Sequence, residues 1–368
     1  MSQRLSSLEI VGFRALKHLH VPRLADVNLI VGKNSVGKTT ILEAVRLLLS
    51  ADIRPRLYSI LADREEWSMQ RRHGSTDRNA WAGADISFEA LFYGRPNLSG
   101  DARFRISGGP NEPNLSIGFG WLRQERRDDA SVLYLPSEGP FDDPDAVPGL
   151  RAERDSISAV LPLDRINRII ARRALREAPR PNVTYIGSNG LDFEEIGQLW
   201  DSVALTDDEE KVIESLKIIS PTLEKLVMVQ SPEARAERML MAKVSEFDIP
   251  IPFKSLGEGA MHLLSIALGI IQARGSALLI DEISSGIHYS AQAMVWDMIF
   301  SQCEKYNIQI FATTHSWDCV RALHKAGSNN RGSTVALHRL ERVSDRVKVV
   351  SFSRDELEIV AADEIEVR

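Results

Sequence analysis

The sequence predicts an α/β fold: a mixed sheet with flanking helices and an antiparallel β-lobe, split by a mainly helical insertion. The stretch VNLIVGKNSVGKTTILEAVRLLL (27–49) is typical of an apolar strand, a glycine-rich loop and an amphipathic helix. Residues 83–121 contain short alternating runs separated by Gly, Pro and Asn, which predict antiparallel strands. Beyond Phe253 the pattern returns to alternating strands and helices.

The remaining elements follow in chain order. SSLEIVGFRALKHLHVP predicts two strands around a turn near Phe13–Lys17, and the polar residues 51–82 predict mostly loop. Thr206 and Glu209 form a capping-box pattern that opens DDEEKVIESLKII. We therefore expect three parts: 1–121 and 245–368 form the two halves of one α/β unit, and 122–244 is a mainly helical insertion.

Composition narrows the functional class. The chain has 368 residues, 43% apolar and 26% charged, which is enough for two or three domains. A net charge of −6 provides no overall basic field for nucleic acid. The longest apolar run, 263–271, is far shorter than the roughly 20 residues that span a bilayer. With no signal-peptide pattern and two cysteines outside any metal-ligand spacing, we expect a cytoplasmic protein.

The segment GKNSVGKT matches the phosphate-binding pattern G-x-x-x-x-G-K-[ST], with a strand before it and a helix after it. The glycines let the backbone wrap around a phosphate, and the helix N-terminus adds a favourable dipole. Lys38 is expected to reach the β- and γ-phosphates, and Thr39 to bind Mg²⁺. The predicted nucleotide-binding residues are Gly32, Lys33, Asn34, Ser35, Val36, Gly37, Lys38, Thr39 and Thr40.

The apolar strand in ALLIDEI ends in two acidic residues, Asp281 and Glu282. Such a pair is often a mere strand end, but beside a phosphate-binding loop it predicts catalysis. Asp281 would hold Mg²⁺ through water, and Glu282 would orient and deprotonate an attacking water. The long separation from Lys38 disfavours a small GTPase or a simple nucleotide kinase.

A second glycine-rich turn, SLGEG (255–259), opens an apolar helix just upstream of that strand. A helix start with bare N–H groups suits an anion. Because the first loop already holds its own nucleotide, we expect this turn to bind the γ-phosphate of a nucleotide carried by another copy. The prediction is a homodimer that clamps two ATP molecules.

These motifs resemble those of ABC-type ATPases, which implies an ABC-type P-loop NTPase head that uses ATP and Mg²⁺. LGEGAMHLL looks like the signature motif, IDEISSGIHYS like Walker B followed by the D-loop, and IFATTHS like the switch-histidine strand, with His315 near the γ-phosphate. The resemblance implies Lys38, Glu282 and His315 as catalytic residues and Thr39 and Asp281 as metal ligands. The signature residues that would act across the dimer are Ser255, Gly257, Glu258 and Gly259.

Within this class, EIVGFRALKHLHV together with the P-loop segment is similar to the SMC, RecF and OLD-like branch. GIHYSAQ with TTHSWDCV most resembles the OLD-like group. The resemblance covers about residues 4–50 and 250–340. Two departures are Leu256 within the signature and the Q-loop glutamine, for which Gln230 is a weak candidate and Gln124 a weaker one.

OLD nucleases carry a Toprim nuclease domain after the ATPase. About 50 residues follow His315, and the stretch 335–368 has room for two strands and a short helix. The one Asp-x-Asp (143–145) lies in a proline-rich loop. The resemblance therefore implies a separate Toprim-like nuclease or other effector as partner, and a role in defence against phage or plasmids.

Two arginine groups are candidates for binding DNA or a partner protein. The first has helical spacing, which fits either a solvated face or a phosphate-tracking stripe. It comprises Arg165, Arg168, Arg172, Arg173 and Arg176. The second comprises Arg54, Arg56, Arg71 and Arg72.

The sequence leaves two main functional hypotheses. One is an ATPase whose dimer drives or regulates action on DNA. The other is a slow nucleotide-sensing scaffold that holds and releases an effector protein. A third, the ATP-hydrolysing subunit of a membrane transporter, is disfavoured by the RecF-like N-terminus and the long insertion.

Overall fold

A computed structural model describes residues 4–71, 81–96, 102–127, 132–139, 141, 143–155, 157–163, 183–230 and 238–362. In these residues two large sheets pack around the helix that follows the P-loop. One is antiparallel and one is mixed, so the α/β class, the mixed sheet and the β-lobe are confirmed.

The antiparallel sheet has the strand order β10-β9-β7-β6-β1-β2, with β8 paired to β7. We call it the β-lobe. Its first two strands form the hairpin that the sequence predicts around Phe13–Lys17. Its strands are β1 (Leu8–Phe13), β2 (Leu16–Val21), β6 (Arg103–Ser107), β7 (Asn114–Arg126), β8 (Val132–Ser137), β9 (Val147–Arg154) and β10 (Ile157–Pro162).

The mixed sheet has the order β11-β15-β16-β3-β17-β18, parallel except for the last pair. We call it the core sheet. All four residues of β15 and all six of β16 are buried, as expected for parallel strands covered on both faces. Its strands are β3 (Val27–Gly32), β11 (Val183–Ile186), β15 (Ala277–Ile280), β16 (Gln309–Thr314), β17 (Val335–Val343) and β18 (Arg346–Ser353).

Helices flank the core sheet, and the predicted ending of two strands and a short helix is confirmed. The first helix, α1, lies between the two sheets and is almost entirely buried. The helices of the described residues are α1 (Lys38–Leu49), α2 (Ile53–Asp63), α3 (Phe193–Val203), α4 (Asp207–Leu216), α5 (Glu258–Gln272), α6 (Tyr289–Tyr306), α7 (Trp317–Asn329) and α8 (Arg354–Ala362).

The described part of 122–244 does not match the expected helical insertion. It holds two helices, α3 and α4, whereas most of its elements are strands. β7 runs through the expected boundary at residue 121, β8 to β10 extend the β-lobe, and β11 is an edge strand of the core sheet. Only β12 (Leu223–Gln230) and β13 (Arg238–Val244), with the short β14 (Ile251–Pro252), form a sheet of their own. The secondary structure of this region is determined by pairing between strands that are distant in the chain, which local sequence patterns do not encode.

The segment 51–82 also differs from the expected loop, because it contains α2. The Asp52 side chain caps this helix by accepting a hydrogen bond from the Arg54 N–H. Pro55 is tolerated because it lies in the first turn, where its missing N–H has no helical partner. The segment also contributes β4 (Trp67–Arg71), which pairs with β5 (Trp81–Ile86).

The predicted cap at Thr206 is confirmed: its hydroxyl accepts from the Asp208 N–H. Glu209 does not close a capping box, because its carboxylate accepts from the Leu205 N–H instead. A complete capping box occurs at α3, where Asp192 and Glu195 each accept from the other's backbone N–H. Among the described residues, no helix is long and apolar enough to cross a membrane.

Candidate functional site: a P-loop joined to an acidic strand end

The P-loop connects β3 to α1 at the carboxyl end of the core sheet. Gly37 precedes the helix with φ 112°, a backbone conformation that L side chains rarely adopt, and no side chain caps the helix start. A Cβ at this position would also lie 3.0 Å from Leu16 Cδ2. The free N–H groups of α1 and the close turn provide the backbone that a phosphate requires.

Thr39 and Asp281 meet at this loop although they come from distant parts of the chain. The Thr39 hydroxyl donates to Oδ2 of Asp281 at 2.9 Å, while Oδ1 of the same carboxylate accepts from the Thr313 hydroxyl at 2.6 Å. Asp281 is buried and directly follows β15. The predicted pair of metal ligands therefore lies side by side.

Glu282 lies next to this pair with φ 52°, a left-handed backbone. Its Oε1 is 3.8 Å from Nζ of Lys38, and its Oε2 is 2.8 Å from Nδ1 of His315. Lys38 Nζ also donates to the carbonyl of Gly32 at 2.9 Å. The structure thus brings together the three residues that the sequence predicts to be catalytic: Lys38, Glu282 and His315.

A cavity of about 740 Å³ opens above the P-loop. It is lined by the P-loop, the acidic strand end and a set of residues that the sequence analysis did not single out. The lining residues are Ala15, Asn34, Ser35, Gly37, Lys38, Thr39, Thr40, Arg64, Glu66 and Glu282. Its volume lies within the range of small-molecule sites.

An ion-pair cluster centred on the buried Glu43 adjoins this cavity through Arg64. Glu43 on α1 pairs with Arg14 at 2.8 Å and with Arg64 at 2.7 Å. Arg64 Nη2 also donates to the Thr40 hydroxyl at 3.4 Å. Desolvation raises the pKa of Glu43, and the two guanidinium groups oppose that effect. No pattern in the sequence marks these residues, because Arg14, Glu43 and Arg64 belong to three separate elements.

The residues present fit a nucleotide and a divalent cation. Mg²⁺ is commonly bound by one or two carboxylates together with substrate phosphates, and the hydroxyl of Thr39 beside the Asp281 carboxylate supplies oxygen ligands of that kind. Among the described residues, no group of three or more His, Cys, Asp or Glu side chains forms a separate metal site. A cation here would therefore depend on the phosphates for its remaining ligands.

The predicted signature turn lies elsewhere on the surface. Ser255, Gly257 and Glu258 are exposed at the start of α5, whereas Gly259 is buried. Among the described residues, no side chain caps this helix, and none has an atom within 4 Å of a Cβ placed on Gly257. None of the described residues that line the P-loop cavity comes from this turn.

Gly259 packs against the turn that follows the acidic pair. A Cβ on Gly259 would overlap with the carbonyl oxygen of Gly286, and a Cβ on Gly286 would lie 2.8 Å from the Gly259 nitrogen. Both glycines are therefore required for this backbone contact. The start of α5 is therefore packed against the turn at Gly286, which lies in the segment that resembles Walker B followed by the D-loop.

The two candidate Q-loop glutamines do not line the P-loop cavity, and most of the candidate arginines lie outside the residues whose side chains are described. Neither Gln230, at the end of β12, nor Gln124, in β7, is among the described residues that line the P-loop cavity. Arg54 is exposed on α2, and burial lowers the pKa of the half-buried Arg56 to about 10. The other arginines of interest lie outside the residues whose side chains are described: Arg71, Arg72, Arg165, Arg168, Arg172, Arg173 and Arg176.

The sequence profile of a family described as "AAA domain, putative AbiEii toxin, Type IV TA system" matches residues 27–318. The chain belongs to this AAA-domain family. The matched range includes the P-loop, the acidic strand end and His315, so these parts of the site lie within it. The assignment makes the chain a P-loop protein of the ATPase class.

Two further comparisons give matches to other proteins. The chain is 49% identical over 45 residues to the DNA replication and repair protein RecF of Clostridioides difficile, a segment that covers 12% of each protein. Solved structures also align along most of the chain. An SMC head bound to the C-winged helix domain of ScpA aligns with 95% of this chain and 97% of its own, at 14% identity and a TM-score of 0.48. The alignment with the SMC head of Thermotoga maritima covers 95% of this chain and 99% of the SMC chain, at 15% identity and a TM-score of 0.42.

Proposed function

We propose that the protein is an Mg²⁺-dependent ATPase whose hydrolytic centre is completed by a second copy of the chain. The observation that carries the proposal is that Lys38, Thr39 and Glu282 line one cavity. Asp281 contacts Thr39 directly beside it, and His315 contacts Glu282. Family membership supports nucleotide binding. Bound Mg²⁺ would supply charge neutralisation on the β- and γ-phosphate oxygens.

Each residue has a distinct role in this proposal. The Lys38 ammonium balances negative charge on the phosphates, close to the Glu282 carboxylate that it already faces. Glu282 orients the attacking water and accepts its proton while the water oxygen bonds to the γ-phosphorus and the bond to ADP breaks. His315 contacts Oε2 of that carboxylate with an exposed side chain, and in this proposal it senses the γ-phosphate.

The second copy is proposed because the signature turn is exposed and lies outside the lining of the P-loop cavity. Its free helix N-terminus suits an anion, and Ser255 with Gly257 would face the triphosphate held by the other subunit. In this arrangement two subunits clamp two ATP molecules. ATP would then favour the dimer by mass action.

The direct test is phosphate release by the purified protein with ATP, with and without Mg²⁺. We expect Mg²⁺-dependent turnover that Lys38→Ala abolishes, while Lys225→Ala, a lysine on the exposed face of β12, retains it. Wild-type turnover that does not require Mg²⁺, or that survives Lys38→Ala, would contradict the proposal.

We further propose, on the OLD-like resemblance, that the dimer regulates action on DNA in defence against phage or plasmids, with a separate Toprim-like nuclease or other effector as partner. The family description, which names a toxin of a type IV TA system, supports a role of this general kind. The test is copurification of partners with an ATP-trapped Glu282→Gln variant, followed by a nuclease assay on the complex. A DNA-stimulated nuclease is expected. The scaffold alternative predicts a different result: ATP turnover below about one per minute, a rate that DNA does not change, and release of the partner that depends on this turnover.

A further inference from the structure

Thr313 is fully buried near the end of β16, and its hydroxyl makes two hydrogen bonds to the acidic pair. It donates to Oδ1 of Asp281 at 2.6 Å and accepts from the backbone N–H of Glu282 at 2.8 Å. One hydroxyl therefore contacts the side chain of the first acid and the main chain of the second.

The bond to Asp281 limits how that carboxylate can turn. Its two oxygens accept from two threonine hydroxyls that lie on different elements, Thr39 on α1 and Thr313 on β16. Thr39 is only half-buried and faces the cavity, so its hydroxyl is free to bind a cation instead. Thr313 lies in the core sheet, so we expect its hydrogen bond to Asp281 to remain when the Thr39 hydroxyl binds a cation.

The bond to Glu282 stabilises an unusual backbone. Glu282 has φ 52°, a conformation that is uncommon for residues other than glycine. Its N–H is held by the Thr313 hydroxyl, and the next N–H, of Ile283, donates to the Thr313 carbonyl at 3.0 Å. This turn directs the Glu282 side chain towards Lys38 and His315.

We propose that Thr313 is the positioning residue of the hydrolytic centre, since its hydroxyl fixes both the orientation of the metal-binding Asp281 carboxylate and the backbone of Glu282. The proposal rests on the proposed ATPase function of this site. Thr313 is fully buried and is not among the described residues that line the P-loop cavity, so in this proposal it acts only through the two acids. Its loss should affect metal affinity and kcat more than ATP affinity.

The test compares Thr313→Val, which keeps the shape and loses the hydroxyl, with Thr313→Ser, which keeps the hydroxyl. The matched control is Thr184→Val: Thr184 is a buried threonine of β11 whose hydroxyl has no hydrogen-bond partner among the described residues. For Thr313→Val we expect kcat to fall on the order of tenfold to a hundredfold, and the Mg²⁺ concentration for half-maximal rate to rise. Thr313→Ser and Thr184→Val should stay near the wild-type values.

A second readout separates this proposal from the proposed function. Binding of Mn²⁺ to the ADP-bound protein, followed by electron paramagnetic resonance, should weaken in Thr313→Val but not in Thr313→Ser or Thr184→Val. If the wild type does not hydrolyse ATP, the proposed function fails and this measurement alone decides the role of Thr313. If Thr313→Val misfolds, Thr313→Ala takes its place in both assays. Unchanged Mn²⁺ affinity and kcat in the hydroxyl-free variant, or equal losses in Thr313→Ser, would overturn the proposal.

Discussion

Oε2 of Glu282 lies 2.8 Å from Nδ1 of His315, although 33 residues separate them in the chain. The contact arises because β15 and β16 are parallel neighbours in the core sheet, so that their carboxyl ends meet at one edge. A second bond joins the same two segments, where the hydroxyls of Ser284 and Thr314 lie 2.9 Å apart. His315 and Thr314 at the end of β16 are therefore hydrogen-bonded to Glu282 and Ser284 after β15.

Glu282→Gln tests the general-base role most simply. Gln keeps the size of the side chain but cannot accept the proton of water, so we expect hydrolysis to fall by about a hundredfold or more with ATP binding retained. Phosphate release and fluorescent-nucleotide binding measure the two quantities. Glu224→Gln, an exposed acid paired with Lys243, serves as control. If Glu282→Gln hydrolysed ATP at the wild-type rate, the general-base role of Glu282 would be contradicted.

His315→Ala should lower kcat on the order of tenfold to a hundredfold, because the Glu282 carboxylate loses the imidazole that holds its Oε2. His315→Asn should recover part of the rate, since an amide N–H can occupy the Nδ1 position. His18→Ala is a matched control: His18 pairs with Glu9 at 3.0 Å on the exposed face of the β-lobe. Equal effects of the two alanine variants would contradict a role for His315 at this site.

The packed glycines predict a specific sensitivity at the start of α5. Gly259→Ala forces a Cβ against the Gly286 carbonyl, so we expect a loss of about 1–3 kcal/mol in the free energy of unfolding. Because the D-loop must move, hydrolysis should fall as well. Gly327→Ala in α7 is the control, since its Cβ would meet Val335 at an ordinary 3.6 Å. A Gly259→Ala protein as stable as wild type in urea denaturation would show that the contact is not tight.

Much of the site was predictable because its motifs are local. The P-loop pattern stands between a strand and a helix that the sequence also predicts, and Asp281 and Glu282 follow an uninterrupted apolar strand. His315 was predictable for the same reason, as the residue directly after β16.

Other features depend on contacts that no local pattern records. Thr313 resembles any β-branched residue at a strand end until the adjacent strand places Asp281 within reach. The strands β9 and β10 also depend on such contacts: they form a hairpin around Asp155, with φ 51°, and β9 pairs with β7. The capping pattern at Thr206 was correct, but it favoured helix for a region in which strand pairing dominates.

Two buried histidines predict how stability changes with pH. Burial lowers the pKa of His262 and of His338 to about 4, whereas an unfolded histidine titrates near 6.5. Below pH 6.5 the unfolded chain therefore binds more protons than the folded one. Stability is fully present above pH 6.5 and declines as the pH falls towards 4, by about 1.4 kcal/mol per pH unit for each histidine.

His338→Gln removes one of these two groups. Its urea-unfolding free energy should fall less steeply between pH 6.5 and 4.5 than that of wild type, by about 1.4 kcal/mol per pH unit. The exposed His20 offers the control His20→Gln, which should keep the wild-type slope. An unchanged slope in His338→Gln would mean that His338 takes up its proton equally in both states.

The central claim is that one subunit's signature turn completes the other subunit's site, and subunit mixing tests it most directly. Lys38→Ala and Ser255→Arg should each abolish hydrolysis, one through the P-loop and one across the interface. Mixed at equal amounts and allowed to exchange, they should recover about one quarter of the wild-type rate, because half of the dimers then hold one intact composite site. No recovery from a mixture shown to contain heterodimers, or full activity of Ser255→Arg alone, would contradict the claim.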